Sequence, residues 1–435
     1  MEEDLANWWT TLGDADLDRL MERAVASNLD LKKARSRIRE ARALRGISRA
    51  SFFPFLDGSA STSWYRPGKA DLRGGSDELY QVGFDAGWEL DLFGGNRRAA
   101  QAAQADLEAS RENLNDVLVS LLAEVALNYV QVRTYQELLV RTRENIRFQR
   151  ESHGLNQSLH EAGMMDGLAV QQSLYNLERS RSRLPGLEIG LDAAKNRLAV
   201  LVGRKPGALA NELSAGKPLP EPPSTIAVGI PADTLRHRPD IRGAERRLAA
   251  STARIGVATA DLYPKFHLMG SIGLESIASE DLPEWSSRTW SIGPAVSWKI
   301  FHGGAIRQNI KVQNERHEQA LIDFETAVLN VLEEVENILK AYNEEQRRLE
   351  RLSNAAEAAA NVVELAEDQF QSGLVDFSTV LDAQRTLLDL QDERIRSKGA
   401  VVSNLIRLYK ALGGGWKKMD EDLKSEKLKS GLKTD

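Results

Sequence analysis

Two hydrophobic periods share this chain. From Tyr80 to Leu92 every even position is apolar (Tyr80, Val82, Phe84, Ala86, Trp88, Leu90, Leu92), while the odd positions Gln81, Gly83, Asp85, Gly87, Glu89 and Asp91 are polar or glycine. A period of two is that of a β-strand with one apolar and one wet face. A second such stretch, Trp290 to Ile300, again keeps its apolar residues on even numbers, including Ile292, Val296 and Trp298. Elsewhere the spacing is three and four. Leu321, Phe324, Val328, Val331, Val335, Ile338 and Tyr342 resume after Glu345 as Leu349, Leu352, Ala356, Ala359, Val363, Ala366 and Phe370. That is a heptad, and it predicts a long helix packed against neighbouring helices. Asn96–His153 and Ala305–Ser372 contain neither Gly nor Pro. At 1.5 Å per residue the two helices expected there run about 90 Å and about 100 Å.

The chain is also a duplication. Asp30 and Asp240, Pro54 and Pro264, Trp88 and Trp298, Gly163 and Gly373, Asp166 and Asp376, Leu198 and Leu408, and Gly203 and Gly413 are each 210 residues apart. The expected organisation is an N-terminal segment 1–27, a first repeat 28–202, a connector 203–238 rich in Pro, Gly and Ser, a second repeat 239–412 and a Lys-rich tail 413–435. The first repeat reads as a helix from Asn28 to about Ala50, strands at about 53–65 and 80–93 around a loop at 66–78, and a helical hairpin over 96–202. The second repeats the order, with strands at about 266–275 and 289–301 and a hairpin over 305–412. Asn96 is placed to cap its helix. Pro185-Gly186 is expected to break the first return helix, and Gly163 and Gly373 to turn the two hairpins.

Four two-faced strands pose a problem. If their apolar faces meet lipid, the sheet must close on itself, because open edges are not tolerated in hydrocarbon. Four strands are too few, whereas two chains would supply eight and three would supply twelve. A closed symmetric oligomer follows. The rival arrangement is a small soluble sandwich capping a helical bundle.

Composition narrows the chemistry. A net charge of −6 and the lack of a basic run interleaved with aromatics argue against nucleic acid as a partner. There is no Cys, which excludes disulfides, thiolate metal sites and Cys nucleophiles. No run of 18 apolar residues occurs, so no transmembrane helix is expected, a test that β-strands escape. The start, MEEDLANWW, shows no charged-then-apolar leader. The six His are scattered, and His153 and His160 stand seven apart instead of the four that chelate from one helix. No catalytic residue, metal site or cofactor is expected, and the protein reads as a non-enzyme.

Several stretches then carry a resemblance. They are Arg236-His237-Arg238-Pro239-Asp240-Ile241 with Ala244-Glu245-Arg246-Arg247-Leu248, Phe53-Pro54 and Tyr263-Pro264, Leu90-Asp91-Leu92-Phe93-Gly94-Gly95, Asn196-Arg197-Leu198-Ala199-Val200-Leu201-Val202-Gly203, and Val380-Leu381-Asp382-Ala383-Gln384-Arg385. In this order and duplicated, they resemble the outer-membrane factors of tripartite efflux and secretion systems, the TolC and OprM type, and within them the NodT-type efflux lipoproteins. The resemblance implies a mainly α fold with a transmembrane β-barrel. In it, a homotrimer forms a twelve-stranded barrel in the Gram-negative outer membrane and an α-barrel across the periplasm. Segments 1–27, 203–238 and 413–435 would form an equatorial belt. Members of the subgroup carry a lipid-modified Cys at the mature N-terminus, so its absence here points to a trimmed sequence.

The same resemblance assigns roles. Val82, Phe84, Trp88, Leu90, Trp290, Ile292, Val296 and Trp298 would face outer-membrane lipid. Asp382, Arg385 and Ser378 would form a periplasmic gate, with Asp382 as a threefold acidic ring favouring cations. The alternative for Asp382 and Arg385 is an ordinary surface i,i+3 pair. Because Gln172 stands 210 residues before Asp382, the two hairpins are not equivalent at this gate. Gly163, Asp166, Gly373 and Asp376 would be tips that dock a periplasmic adaptor, the membrane fusion protein, itself tied to an inner-membrane pump of the resistance-nodulation-division type. Met164-Met165 reads as contact surface, not as a soft-metal ligand pair. The expected function is a passive conduit for small molecules. The alternatives are a type I protein secretion channel and, from another class, a soluble coiled-coil scaffold.

Overall fold

In the computed structural model of the protein, residues 6–65, 77–221 and 236–416 are described. The loop expected over 66–78 falls mostly outside them, as do the inner connector, 222–235, and the tail beyond 416. A short 3₁₀ turn, Trp8–Leu12, is followed by α1 (Ala15–Ser27) and α2 (Leu29–Ala50). Strands β1 (Phe55–Tyr65) and β2 (Asp77–Leu90) lead into α3 (Gly95–Glu161), then α4 (Gly167–Arg181) and α5 (Leu184–Leu201). The second half holds α6 (Pro239–Ala260), β3 (Lys265–Ser276), β4 (Arg288–Ser297), α7 (Ala305–Gln371) and α8 (Phe377–Ala411).

The duplication is visible in the element limits. α2 and α6 are both 22 residues long and start 210 apart; α3 and α7 are both 67 residues and start 210 apart. The return helix of the first hairpin breaks at Ser182-Arg183, just ahead of Pro185, while α8 runs unbroken through its 35 residues. Pro at the second position of α5 lacks only an N–H that has no helical partner there, so the chain restarts its helix at that point. Three expectations shift. β2 ends at Leu90 and β4 at Ser297, earlier than read from the alternation, so Trp298 lies one residue past its strand. Asn96 is not the cap of α3: the Asp91 carboxylate accepts from the backbone N–H of Asn96 (3.0 Å) and of Arg97 (2.8 Å). One window of α3 is long and apolar enough to cross a membrane by composition, where the sequence suggested none, but 61% of that window is buried inside the protein.

Two compact units divide these elements: one holds Ser36–Glu112 and Arg242–Ala327, the other holds Met1–Arg35, Asn113–Ile241 and Val328–Asp435. The first unit contains the sheet, antiparallel throughout in the order β1-β2-β3-β4. Each register pair joins residues of equal parity, such as Gly58 with Phe84, Phe84 with Ile272, and Ile272 with Trp290. Directly paired residues share a face. Even numbers therefore mark one face of the whole sheet.

In the second unit the middle of α3 is the core. Leu118, Leu122, Val125, Tyr129 and Val132 are buried, as are Leu17 and Leu20 of α1 and Val402, Leu405 and Ile406 of α8. Trp8 stacks on Tyr409 at 5.2 Å. Every heptad residue read on α7 is buried or half-buried, while the residues between them are mostly exposed. Gly399 lets α8 approach α3 closely, since a Cβ there would sit 2.5 Å from the Thr134 hydroxyl.

Candidate functional site

The even face of the sheet is apolar and open. Phe84 is 56% exposed, Ile292 69% and Trp290 75%. Val82, Trp88, Leu90, Val296 and Trp298 are exposed as well. The odd face carries Asp57, Ser59, Ser61, Gln81, Asp85, Ser271 and Glu275, with Gln81 donating to Glu275 at 2.8 Å. Two tryptophans tie the even face to the helix ends. The Trp88 indole N–H donates to the Phe52 carbonyl at 2.9 Å, and that of Trp298 to the Leu262 carbonyl at 3.0 Å, the same bond 210 residues on. Although Trp298 lies beyond β4, it remains an exposed ring of this rim.

Both hairpin turns are built alike. Gly163 and Gly373 have φ of 73° and 72°, a left-handed conformation that glycine adopts without strain. Met164 N–H reaches the Leu159 carbonyl and Leu374 N–H the Gln369 carbonyl, each at 2.9 Å, closing paired C-terminal caps. Met164 and Leu374 are each 75% exposed at the apices. The two turns differ beneath. Asp166 accepts from Leu168 N–H at 3.4 Å as a helix cap, whereas Asp376 makes no such bond. Phe370 packs on Phe377 at 5.3 Å, and the positions 210 earlier are His160 and Gly167. His160 bonds the Met165 carbonyl (2.8 Å) within the turn and His153 bonds Ser173 (2.9 Å) across the two helices, both in the first hairpin.

Asp382 and Arg385 form an ion pair at 3.1 Å along α8, and both are largely exposed. Ser378 lies one turn before Asp382 and is half-buried. Within the chain Arg385 therefore pairs along its own helix. A residue the sequence did not single out joins the two hairpins: Arg183, at the break between α4 and α5, reaches Asp389 at 2.7 Å and Asp392 at 3.3 Å on α8. Burial is the main influence on Asp392 and raises its pKa, opposed by Arg183 and Arg396. Arg183 sits beside the visible Pro185-Gly186 signal, but the pairing partner, more than 200 residues away, had no local signature.

Two further clusters hold the second unit together. Arg133, 1% exposed, donates to Asp16 (2.8 Å), the Tyr129 hydroxyl, Gln136 and the Ala215 carbonyl (2.9 Å). A hydrogen bond from Lys217, with Arg19 and Arg133 nearby, holds the Asp16 carboxyl below the usual carboxylate range. Burial raises the pKa of the Tyr129 hydroxyl, which donates to Asp14 at 2.5 Å. The Arg238 of the RHRPDI stretch donates to Asp240 (2.8 Å), Glu334 (2.9 Å) and the Ala411 carbonyl at the end of α8 (2.6 Å). Its counterpart 210 residues earlier, Asn28, bonds the Leu201 carbonyl at the end of α5 (2.9 Å). Both residues tie the entry of one helix to the exit of another. Among the described residues no group of three or more His, Asp or Glu side chains is arranged to hold a metal.

The model of the outer membrane efflux protein family matches the chain twice, over residues 20–204 and 230–414, which are again 210 apart. Nodulation protein T of Rhizobium leguminosarum bv. trifolii is 31% identical over 415 residues, covering 94% of this chain and 88% of that protein. The solvent efflux pump outer membrane protein SrpC of Pseudomonas putida is 33% identical over 409 residues, 93% of this chain and 86% of its own. The structure of the outer-membrane channel OprN superposes with a TM-score of 0.90 at 34% identity, covering 94% of this chain and 93% of that one. The two-faced sheet, the paired hairpins and the twofold family match agree, and the chain belongs to the outer membrane efflux protein family.

Proposed function

We propose that this protein is the outer-membrane conduit of a tripartite efflux pump, in which three copies close their four-stranded sheets into one twelve-stranded barrel. The observation that carries this reading is the exposed even-numbered face of the sheet. Phe84, Ile292 and Trp290 lie on one surface with their neighbours, too apolar to be left to water in a stable monomer. Lipid on that face and water on the Asp57, Asp85 and Glu275 face is the division a membrane barrel requires. Trp88 and Trp298 fit the interfacial aromatic belt, with an apolar ring and a satisfied N–H.

On this reading the 1–27, 203–238 and 413–435 segments encircle the conduit, and the tips at Gly163, Asp166, Gly373 and Asp376 meet a periplasmic adaptor. The adaptor connects to an inner-membrane pump that supplies energy and chooses the cargo. The conduit itself is passive. The cargo class is small molecules such as the solvents named for SrpC and its like. A lipid anchor ahead of residue 1 would complete the attachment. Asp382, Arg385 and Ser378 narrow the periplasmic end, where Asp382 repeated threefold favours cations. Single-channel recording in planar bilayers tests this directly. Asp382→Ala with Arg385→Ala raises conductance, and unchanged conductance would sink the gate assignment.

A further inference from the structure

Beneath the sheet, in the same compact unit, lies a groove of about 600 Å³ between α2, the start of α3 and α6. Arg45, Arg49, Arg97, Arg98 and Arg246 line it with Phe52, several alanines and one carboxylate, Glu108. Two of these cations are occupied: Arg246 pairs with Glu245 and Glu108, and Arg98 bonds Gln101. Arg45, Arg49 and Arg97 make no ion pair among the described residues. Three cations facing one groove repel each other, and an anion placed among them would offset that cost.

The position of the groove identifies the anion. Arg45 and Arg49 stand on the last turns of α2, and Arg97 on the first turn of α3. At 1.5 Å per residue, Arg45 is roughly 7 Å along the axis from the end of its helix. Phe52, in the groove wall, is also the residue whose carbonyl holds Trp88 at the rim of the apolar strand face. A basic groove thus begins one indole away from the surface that meets hydrocarbon. On the membrane-barrel reading the phosphates of a lipid leaflet would lie near that level, where arginines can extend along apolar surface to reach them. The positions 210 residues after Arg45 and Arg49 are Ile255 and Thr259, so the second repeat has no copy of the groove.

We infer that this groove binds the phosphate of an anionic phospholipid headgroup, one per chain, with the acyl chains laid against the apolar face beyond Trp88. The inference rests on the membrane-barrel reading of the sheet. It adds a lipid site to what that reading places there.

The test is native mass spectrometry of the full protein, released from detergent and titrated with phosphatidylglycerol. Anionic-surface attraction per arginine corresponds to about fivefold in affinity, so Arg45→Gln with Arg49→Gln should weaken binding about thirtyfold. Arg39→Gln with Arg42→Gln makes the same change of charge on exposed positions of the same helix outside the groove, and should leave binding intact. Arg45→Lys with Arg49→Lys should restore much of it. Equal losses in both glutamine pairs would mean diffuse surface charge, and undiminished binding in the groove pair would mean another site. Either overturns the inference. Inorganic phosphate binding as tightly as the lipid would overturn the lipid assignment in favour of a free anion. A protein that conducts in bilayers yet retains no phosphatidylglycerol defeats this inference alone, whereas one that forms no channel defeats the reading beneath it.

Discussion

At the residue scale the second unit depends on Arg133, whose charge is wholly buried and is met by Asp16, Gln136, Tyr129 and a backbone carbonyl. Removing one member of such a set leaves the others desolvated and unpaired. Arg133→Met is expected to cost about 3–5 kcal/mol, read as a lower denaturant midpoint. Asp16 adds a pH dependence. Its folded pKa lies below its unfolded value, because Lys217, Arg19 and Arg133 favour the carboxylate. Its contribution is therefore complete above the ordinary carboxylate pKa and disappears as pH falls through the depressed folded value. The stability gap between the native protein and Asp16→Asn should accordingly be widest near neutrality and narrow in acid. A gap independent of pH would show that the Asp16 charge contributes nothing. None of this network was legible in the sequence. Arg133 meets partners 117 and 82 residues away, and such contacts leave no period. Its counterpart 210 residues on is Asn343, so even the duplication gave no hint.

At the element scale the local rules speak most clearly. Both hairpin turns were readable because only glycine takes φ near 72° without strain, and a Gly with Asp three residues later marks the turn in each repeat. Gly163→Ala and Gly373→Ala are each expected to destabilise by about 1–2 kcal/mol in thermal unfolding, with the tips still present. The heptad of α7 was equally legible, since a face buried by packing must be apolar at spacings of three and four. Strand ends were read late, because the alternation continues through Leu92 although the ladder stops at Leu90. Hydrophobicity records a face, not a hydrogen bond. The tie between hairpins is also a matter of elements. Arg183→Ala frees α8 from the break in the first return helix and leaves half-buried Asp392 with only Arg396 as a nearby cation. Hydrogen exchange should rise around residues 181–185 and 388–393 in that variant; unchanged exchange there would remove Arg183 as a fastener.

For the whole molecule, duplication with divergence is the organising fact. The two repeats share the limits of their first and longest helices, the glycine turns, the Trp88 and Trp298 bonds, and the Asn28 and Arg238 clasps. They differ where one copy meets something the other does not. α3 is buried through its middle by the N-terminal segment and its neighbours, while α7 exposes Leu329, Leu332, Val362 and Leu365. On the proposed reading, the exposed apolar residues of α7 and the exposed apolar sheet face are both covered, by lipid or by further copies of the chain. Light scattering after size exclusion, in detergent and in plain buffer, tests that claim most directly. A trimeric membrane conduit gives a protein mass near three times 48.3 kDa in detergent and aggregates once detergent is removed. A monodisperse monomer or dimer in plain buffer would contradict it.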